Sequence, residues 1–221
     1  MSKQYPLGSV LVAGGGIGGI QATLDLAESG FYVYLVEQSP AIGGVMAQLD
    51  KTFPTNDCSM CIMSPKLVEV GRHINIELIT MATIQDIQGE KGNFTVEVDQ
   101  KARYVDMDKC VGCGACVEKC PKKVADSYNE GLVQRKAIYV PYAQAVPLKY
   151  VIDAENCIKL TRGKCGNCEA VCPAGAIRYD DKDQTLFLNV GSIILAPGFT
   201  PFHPQNAIVY GWDVSPDVVT S

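Results

Sequence analysis

Two stretches of the chain carry unbroken apolar runs too short to be helices: 10–13 (Val-Leu-Val-Ala) and, after Ser192, the rest of 192–196 (Ile-Ile-Leu-Ala). Unbroken runs of that length predict strands buried on both faces, the habit of a parallel sheet. Residues 31–36 predict another strand, ending at Glu37. Between them, residues 20–29 set Ile20, Leu24 and Ala27 on one helical face, with Gly30 as the stop. The opening of the chain therefore predicts a β-α-β unit. Further on, residues 64–70 predict a helix with Pro65 at its first position, and residues 75–80 a strand. His73, just before that strand, reads as a structural residue. Residues 94–98 alternate and predict a half-buried strand, paired through a turn at 89–93 with 84–87. Residues 185–190 predict one more strand.

The joint between the first strand and helix reads Gly14-Gly15-Gly16-Ile17-Gly18-Gly19 and fits G-x-G-x-x-G. Gly14 is expected to make the turn, Gly16 to let a pyrophosphate reach the backbone, and Gly19 to let helix and strand pack closely. The helix start then offers free amides and a positive dipole end to phosphates. Glu37, followed by Gln38, stands 18 residues past Gly19, where a carboxylate takes a ribose hydroxyl. Dinucleotide binding follows from strand, loop, helix and acid in register. FAD rather than NAD rests on resemblance. Gly43-Gly44 resembles the continuation seen in FAD-dependent reductases. Ala196-Pro197-Gly198 resembles the Ala-Thr-Gly-like turn that closes such domains.

Cys110, Cys113, Cys116 and Cys120 are spaced two, two and three residues apart and end in Pro121. This run resembles that of bacterial-type ferredoxins, which hold [4Fe-4S] clusters. Its partner is Cys157, Cys165, Cys168 and Cys172 with Pro173, whose first gap is seven residues instead of two. Residues 158–164 are expected to bulge outward, turning at Arg162-Gly163. Ferredoxin logic crosses the fourth cysteines over. Cys110, Cys113, Cys116 and Cys172 would hold one cluster, and Cys157, Cys165, Cys168 and Cys120 the other. Zinc, the competing reading, prefers separated C-x-x-C pairs and does not call for the proline or the three-residue gap. The stretch between the runs is long for a ferredoxin and predicts a packed excursion that shields or docks. A third pair, Cys58 and Cys61, leaves three readings open: ligands of a further [4Fe-4S] cluster completed from outside, a redox pair beside the flavin, or buried structural thiols.

The chain has 221 residues, 47% of them hydrophobic, and a formal net charge of −5. That balance argues against nucleic acid. No leader pattern and no run long enough to span a membrane is present, so the expected location is the cytoplasm, peripheral to a membrane complex at most. Ten cysteines in such a compartment favour metal or redox work over structural disulfides. No catalytic general acid or base is assigned.

With those residues in place, nearly the whole chain resembles the N-terminal part of the HdrA family, the A-type subunits of heterodisulfide reductase. The matching segments are the glycine loop, Glu37, Gly43-Gly44, residues 56–66 with Cys58 and Cys61, Arg103-Tyr104-Val105, both cysteine runs, residues 135–139, 144–147 and 193–198. The flavoprotein of quinone-interacting membrane-bound oxidoreductase and an HdrA-like component of class II benzoyl-CoA reductase share the layout. The resemblance implies an α/β, Rossmann-like FAD domain of thioredoxin-reductase type, incomplete over this length. Into it an α+β 2[4Fe-4S] ferredoxin unit is inserted. The expected segments are 1–102 and 183–221 for the flavin frame and 103–182 for the insertion. It also implies electron exchange between FAD and clusters in a complex with heterodisulfide-reductase-like B and C subunits and with hydrogenase or dehydrogenase modules, with flavin-based bifurcation in several such complexes.

Overall fold

The computed structural model describes residues 8–200, 210–212 and 214–218. The expectations for the first residues and for most of the tail beyond residue 200 lie outside these. Strand β1 (Ser9–Ala13), helix α1 (Ile17–Glu28) and strand β2 (Tyr32–Glu37) form the expected opening unit. A small hairpin follows, β3 (Lys51–Thr52) with β4 (Asp57–Cys58), and then α2 (Ser59–Val70) and β5 (Ile76–Thr80). Strands β6 (Ala82–Glu90) and β7 (Asn93–Gln100) make the predicted hairpin.

The insertion carries α3 (Ala115–Lys119), β8 (Lys123–Ala125), β9 (Gln134–Lys136), β10 (Ile138–Tyr139), β11 (Val151–Ile152), α4 (Ile158–Arg162) and α5 (Asn167–Ala170). Strands β12 (Gln184–Val190) and β13 (Ser192–Leu195) then rejoin the frame. The four-stranded sheet is parallel, in the order β13-β1-β2-β5; the three-stranded sheet is antiparallel, β12-β7-β6, and the remaining strands form two-stranded ladders. The crossover through α1 that joins parallel β1 and β2 buries Ile20, Leu24 and Ala27 on Val12, Val33 and Leu35. The opposite face of the sheet packs Leu11, Val36 and Ile79 against Val96, Val98, Leu188 and Val190 of the antiparallel layer.

The insertion leaves and returns at one place. Gln100 stands opposite Gln184 in the β7–β12 ladder. Just beyond, Lys101 Nζ lies 2.7 Å from Asp183 Oδ2, and the Ala102 amide donates to Asp183 Oδ1 at 2.9 Å. An insertion at the open end of an antiparallel pair leaves both ladders intact, so the frame can accept it.

Two expectations are corrected. The helix predicted from residue 64 starts at Ser59, and Pro65 lies inside it. The Cys58 sulfur caps its first turn, accepting from the Cys61 amide at 3.1 Å. Met63, Leu67 and Val70 are fully buried against α1, and that burial outweighs the hydrogen bond the proline cannot make. Strand β13, expected to be buried on both faces, is an edge strand with Leu195 at 72% exposure. The stretch 158–164 does turn at Arg162-Gly163 as expected, as the helical turn α4 closed by Gly163 at φ 69°.

Candidate functional site

The glycine loop lies where β1, β2 and β13 end together. A Cβ on Gly14 would stand 2.1 Å from the Ala196 carbonyl oxygen, and one on Gly19 would stand 1.8 Å from the Gly14 oxygen. Those two glycines are packing requirements. Gly16 is different: a Cβ there meets nothing within 4 Å. Gly16 is also the N-cap of α1 and has no side chain to cap the first-turn amides, which leaves them available to a ligand. The loop is thus tight on its protein side and clear on the side where a phosphate would approach.

Glu37 is buried at 8% exposure. Its carboxylate accepts from the Gly15 amide and the Ser39 amide, both at 2.7 Å. It therefore ties the glycine loop to the end of β2, and each oxygen keeps a second lone pair for a ribose hydroxyl. Gln38 follows it, exposed. The second glycine pair docks on the first loop. The Gly43 amide donates to the Gly15 oxygen at 2.7 Å, and a Cβ on Gly44 would lie 2.9 Å from the Gly16 Cα. Ala196 completes the rim, its amide donating to Ala13 O at 2.8 Å. The structure thus brings Gly14 to Gly19, Glu37, Gly43, Gly44 and Ala196 to one edge of the parallel sheet, while Gln38 and Gly198 are exposed.

The excursion between the cysteine runs covers this edge. Ile42 bridges Val146, with its amide donating to the Val146 oxygen at 2.9 Å. The Tyr142 hydroxyl donates to the Ile42 oxygen and the Tyr128 hydroxyl to the Ala47 oxygen. The two rings stack at 5.3 Å. Burial pushes both phenols up, so they stay protonated donors.

In the insertion, two halves repeat in space as they do in sequence. The Cys110 amide donates to Asp106 O at 3.0 Å, and the Cys157 amide to Asp153 O at 2.9 Å. The Asp106 amide donates to Ala176 O at 2.7 Å and the Asp153 amide to Ala137 O at 2.8 Å. Val105 pairs with Ile177, while β10 and β11 pair Ile138 with Ile152. Each half's entry strand pairs with an exit strand that follows a C-Pro corner.

The eight cysteines part into two groups. Cys110, Cys113, Cys116 and Cys172 line one cavity, with Val105, Tyr150, Ala176 and Ile177 as apolar wall. Cys120, Cys157, Cys165 and Cys168 line another, walled by Ala137, Ile138, Ile152 and Tyr179. All eight are free thiols, and each cavity exposes one of them, Cys113 or Cys165. Gly112 and Gly114 take φ of 68° and 87° to wrap the first loop, whereas Cys165 itself adopts φ 97°.

Four sulfurs with no His or carboxylate suit soft-metal chemistry. Among the described residues, no group of three or more His, Cys, Asp or Glu is set to hold a single metal ion. A lone zinc needs its ligands converging on one point, whereas a cubane spreads its irons across a cavity. The donors present fit a cluster. The Ala176 amide points at Cys172 Sγ at 3.3 Å, and the Tyr179 hydroxyl lies 2.9 Å from Cys168 Sγ. Burial pushes the Cys116 thiol up to about 12, so a metal's charge would be what turns that thiol into a thiolate.

Cys58 and Cys61 stand apart from both cavities, joined by a disulfide at the start of α2. Cys61 is exposed and Cys58 half-buried, which overturns the reading as buried structural thiols.

Arg103 carries no weight in the sequence beyond its place in a resembling segment. The structure buries it at 6% exposure between frame and insertion. Nη2 donates to Pro40 O at 2.6 Å and Thr80 Oγ1 at 2.8 Å; Nη1 donates to Lys149 O at 3.2 Å. Burial lowers its pKa to about 10, so it remains a cation at neutral pH.

A flavin-type dinucleotide frame with an inserted pair of cysteine cradles defines the class: an FAD-dependent oxidoreductase carrying 4Fe-4S domains. Residues 9–107 match the FAD dependent oxidoreductase family, and residues 103–125 and 151–177 each match a 4Fe-4S binding domain. The chain is 52% identical over 213 residues to the iron-sulfur A-subunit of the CoB–CoM heterodisulfide reductase of Methanocaldococcus jannaschii, covering 96% of this chain and 32% of that protein. It is 48% identical over 210 residues to the A-subunit of the H(2):CoB-CoM heterodisulfide,ferredoxin reductase of Methanothermobacter marburgensis, covering 95% and 31%. Over nearly its whole length the chain is similar to A-type subunits of heterodisulfide reductases, and it spans about a third of the length of the curated relatives it matches. Among solved structures, a putative thioredoxin reductase from Bacillus anthracis aligns over 41% of this chain and 30% of its own, at 19% identity and TM-score 0.32.

Proposed function

We propose that this chain transfers electrons between an FAD and two [4Fe-4S] clusters inside a multisubunit, heterodisulfide-reductase-like complex. The observation that carries the proposal is the division of eight cysteines into two matched cavities in a unit bonded directly to the flavin-type loop. When bound, the flavin supplies a two-electron centre and each cluster a one-electron centre. The chain's own groups place them. Gly16, Ile17 and Gly18 would receive the pyrophosphate and Glu37, with Gln38 beside it, the ribose. Gly43, Gly44, Ala196 and Gly198 close the cradle, and Gly14, Gly15 and Gly19 hold its shape. Cys110, Cys113, Cys116 and Cys172 would ligate one cluster, and Cys120, Cys157, Cys165 and Cys168 the other. The corresponding segments are 1–102 and 183–221 for the frame and 103–182 for the cluster unit.

The partners we infer are B- and C-type subunits and a hydrogenase or dehydrogenase module, and the same flavin would bifurcate electron pairs there. No described helix is long and apolar enough to cross a membrane, in keeping with a cytoplasmic complex that at most touches a membrane partner. Cys58 and Cys61, joined at the frame's surface, support a second reading as a redox pair. In a complex, outside ligands could instead recruit them to a further cluster.

Reductive titration under anaerobic conditions tests the proposal. An FAD plus two clusters accepts about four electrons per chain, while a flavin-free carrier accepts about two. Uptake of about two electrons, without flavin bleaching, would refute the flavin role and leave an electron-carrier module.

A further inference from the structure

Superposing the two halves on their shared Asp106–Cys110 and Asp153–Cys157 turns aligns Arg103 with Tyr150. Each cavity has one lysine on a carbonyl of one of its cysteines. The Lys149 ammonium donates to Cys110 O at 2.6 Å, and the Lys136 ammonium to Cys120 O at 2.7 Å. Lys122 and Lys159 also line the second cavity, but both are half-exposed, where water screens them. Arg103 is the cation that breaks the symmetry. It sits behind the wall of the first cavity, bonded to the carbonyl oxygens of Lys149 and Tyr150 at 3.2 and 3.5 Å, and Tyr150 and Val105 line that cavity.

Arg103 forms no ion pair with a carboxylate among the described residues, and its donors go to carbonyls and one hydroxyl. A buried cation without a counter-charge is costly. Thiolate-ligated [4Fe-4S] centres are net negative and gain one further negative charge on reduction, with no proton required. The missing anion and the anionic cavity lie on two sides of one wall.

We propose that Arg103 is the buried counter-cation of the cluster held by Cys110, Cys113, Cys116 and Cys172, and that it raises that cluster's reduction potential. The inference rests on the cluster reading above but not on the flavin. Four bonds to two different parts of the fold fix the guanidinium, so its field acts at one distance. A positive charge held there favours the reduced form, because reduction adds the negative charge it faces.

The experiment is an anaerobic, EPR-monitored redox titration of the chain and of Arg103→Gln, Arg103→Met and Arg103→Lys, with iron counted in each. The expected result is two cluster couples in the unaltered chain. In Arg103→Gln and Arg103→Met one couple falls by about tenfold in its reduction equilibrium, about 59 mV for one electron. The other couple stays in place, and Arg103→Lys keeps both. If a neutral variant retains its iron and both couples are unmoved, or if lysine lowers the couple as much as glutamine, the proposal is overturned and the cluster reading stands. Loss of half the iron from both neutral variants, with full iron in Arg103→Lys, supports it; the same loss in Arg103→Lys overturns it. Absence of any iron–sulfur signal in the unaltered chain overturns the cluster reading and this inference together.

Discussion

Gly19 and Gly16 belong to the same six-residue loop, yet the structure gives them opposite tasks, and one methyl group separates the two. Gly19→Ala places a Cβ 1.8 Å from the Gly14 carbonyl oxygen, a backbone atom that cannot swing aside. Ordinary contact needs about 3.4 Å or more, so α1 must move by roughly 1.5 Å from β1 or the loop must rebuild. Overpacking of that kind costs about 1–3 kcal/mol, and a backbone obstacle belongs at the upper end. For a chain of this length about 2–3 kcal/mol corresponds to a fall of roughly 4–12 °C in Tm. Gly16→Ala meets no atom within 4 Å, and Gly16 has φ −76°, which alanine adopts freely. The alanine loses roughly 0.5–1 kcal/mol of N-cap preference and regains about as much from unfolded-state entropy. The fold should hold within about 2 °C of the unaltered Tm, while FAD affinity falls by about tenfold or more because the methyl occupies the phosphate's approach. Thermal denaturation of flavin-free protein and titration with FAD separate the two effects. Equal Tm losses in the two variants, or unchanged FAD affinity in Gly16→Ala, would refute the division of labour.

Cys120→Ser, though it lies in the first run, should disturb the cluster of the second run; in EPR the signal lost should be the one that Cys165→Ser also removes, with the Cys113→Ser signal intact. Tyr142→Phe leaves the Ile42 carbonyl without its donor and should cost about 1 kcal/mol in denaturant unfolding, with weaker FAD binding as the Gly43-Gly44 loop loosens. The Asp106 carboxylate accepts from the Lys109 and Asp108 amides, and these, the Lys109 amide first, hold its pKa below the ordinary carboxylate value. A depressed acid stabilises the fold above its unfolded pKa and loses that contribution as pH falls through the folded one. Cluster-free protein should therefore exceed Asp106→Ala in stability at neutral pH, and the gap should close only below about pH 4.

The frame was legible because its signals are local. Val10–Ala13, the six-residue glycine loop and Glu37 lie within one unit of continuous chain, and each residue type answers a backbone need. The cysteine runs were legible for the same reason, and the repeat in their flanks reappears as paired hydrogen bonds from Cys110 and Cys157. What the sequence hid depends on distant partners. Pro65 looked like a helix start because its restriction is local, whereas the burial of Met63 and Leu67 that carries the helix through it is tertiary. Tyr128 and Tyr142 lie in the excursion expected to shield or dock, with no local signal to single them out. Their role appears only when hydroxyls 81 and 100 residues from their acceptors reach Ala47 and Ile42. Arg103 has no periodicity or spacing to mark it; only its burial between two folding units does.

The central claim is an iron–sulfur flavoprotein with two crossed clusters, and metal and flavin content of anaerobically purified protein tests it most directly. The expected content is about eight irons, about eight acid-labile sulfides and about one FAD per chain. About twelve irons, falling to about eight in Cys58→Ser, would add Cys58 and Cys61 as ligands of a further cluster without disturbing the rest. Zinc in place of iron, with no labile sulfide, would contradict the claim.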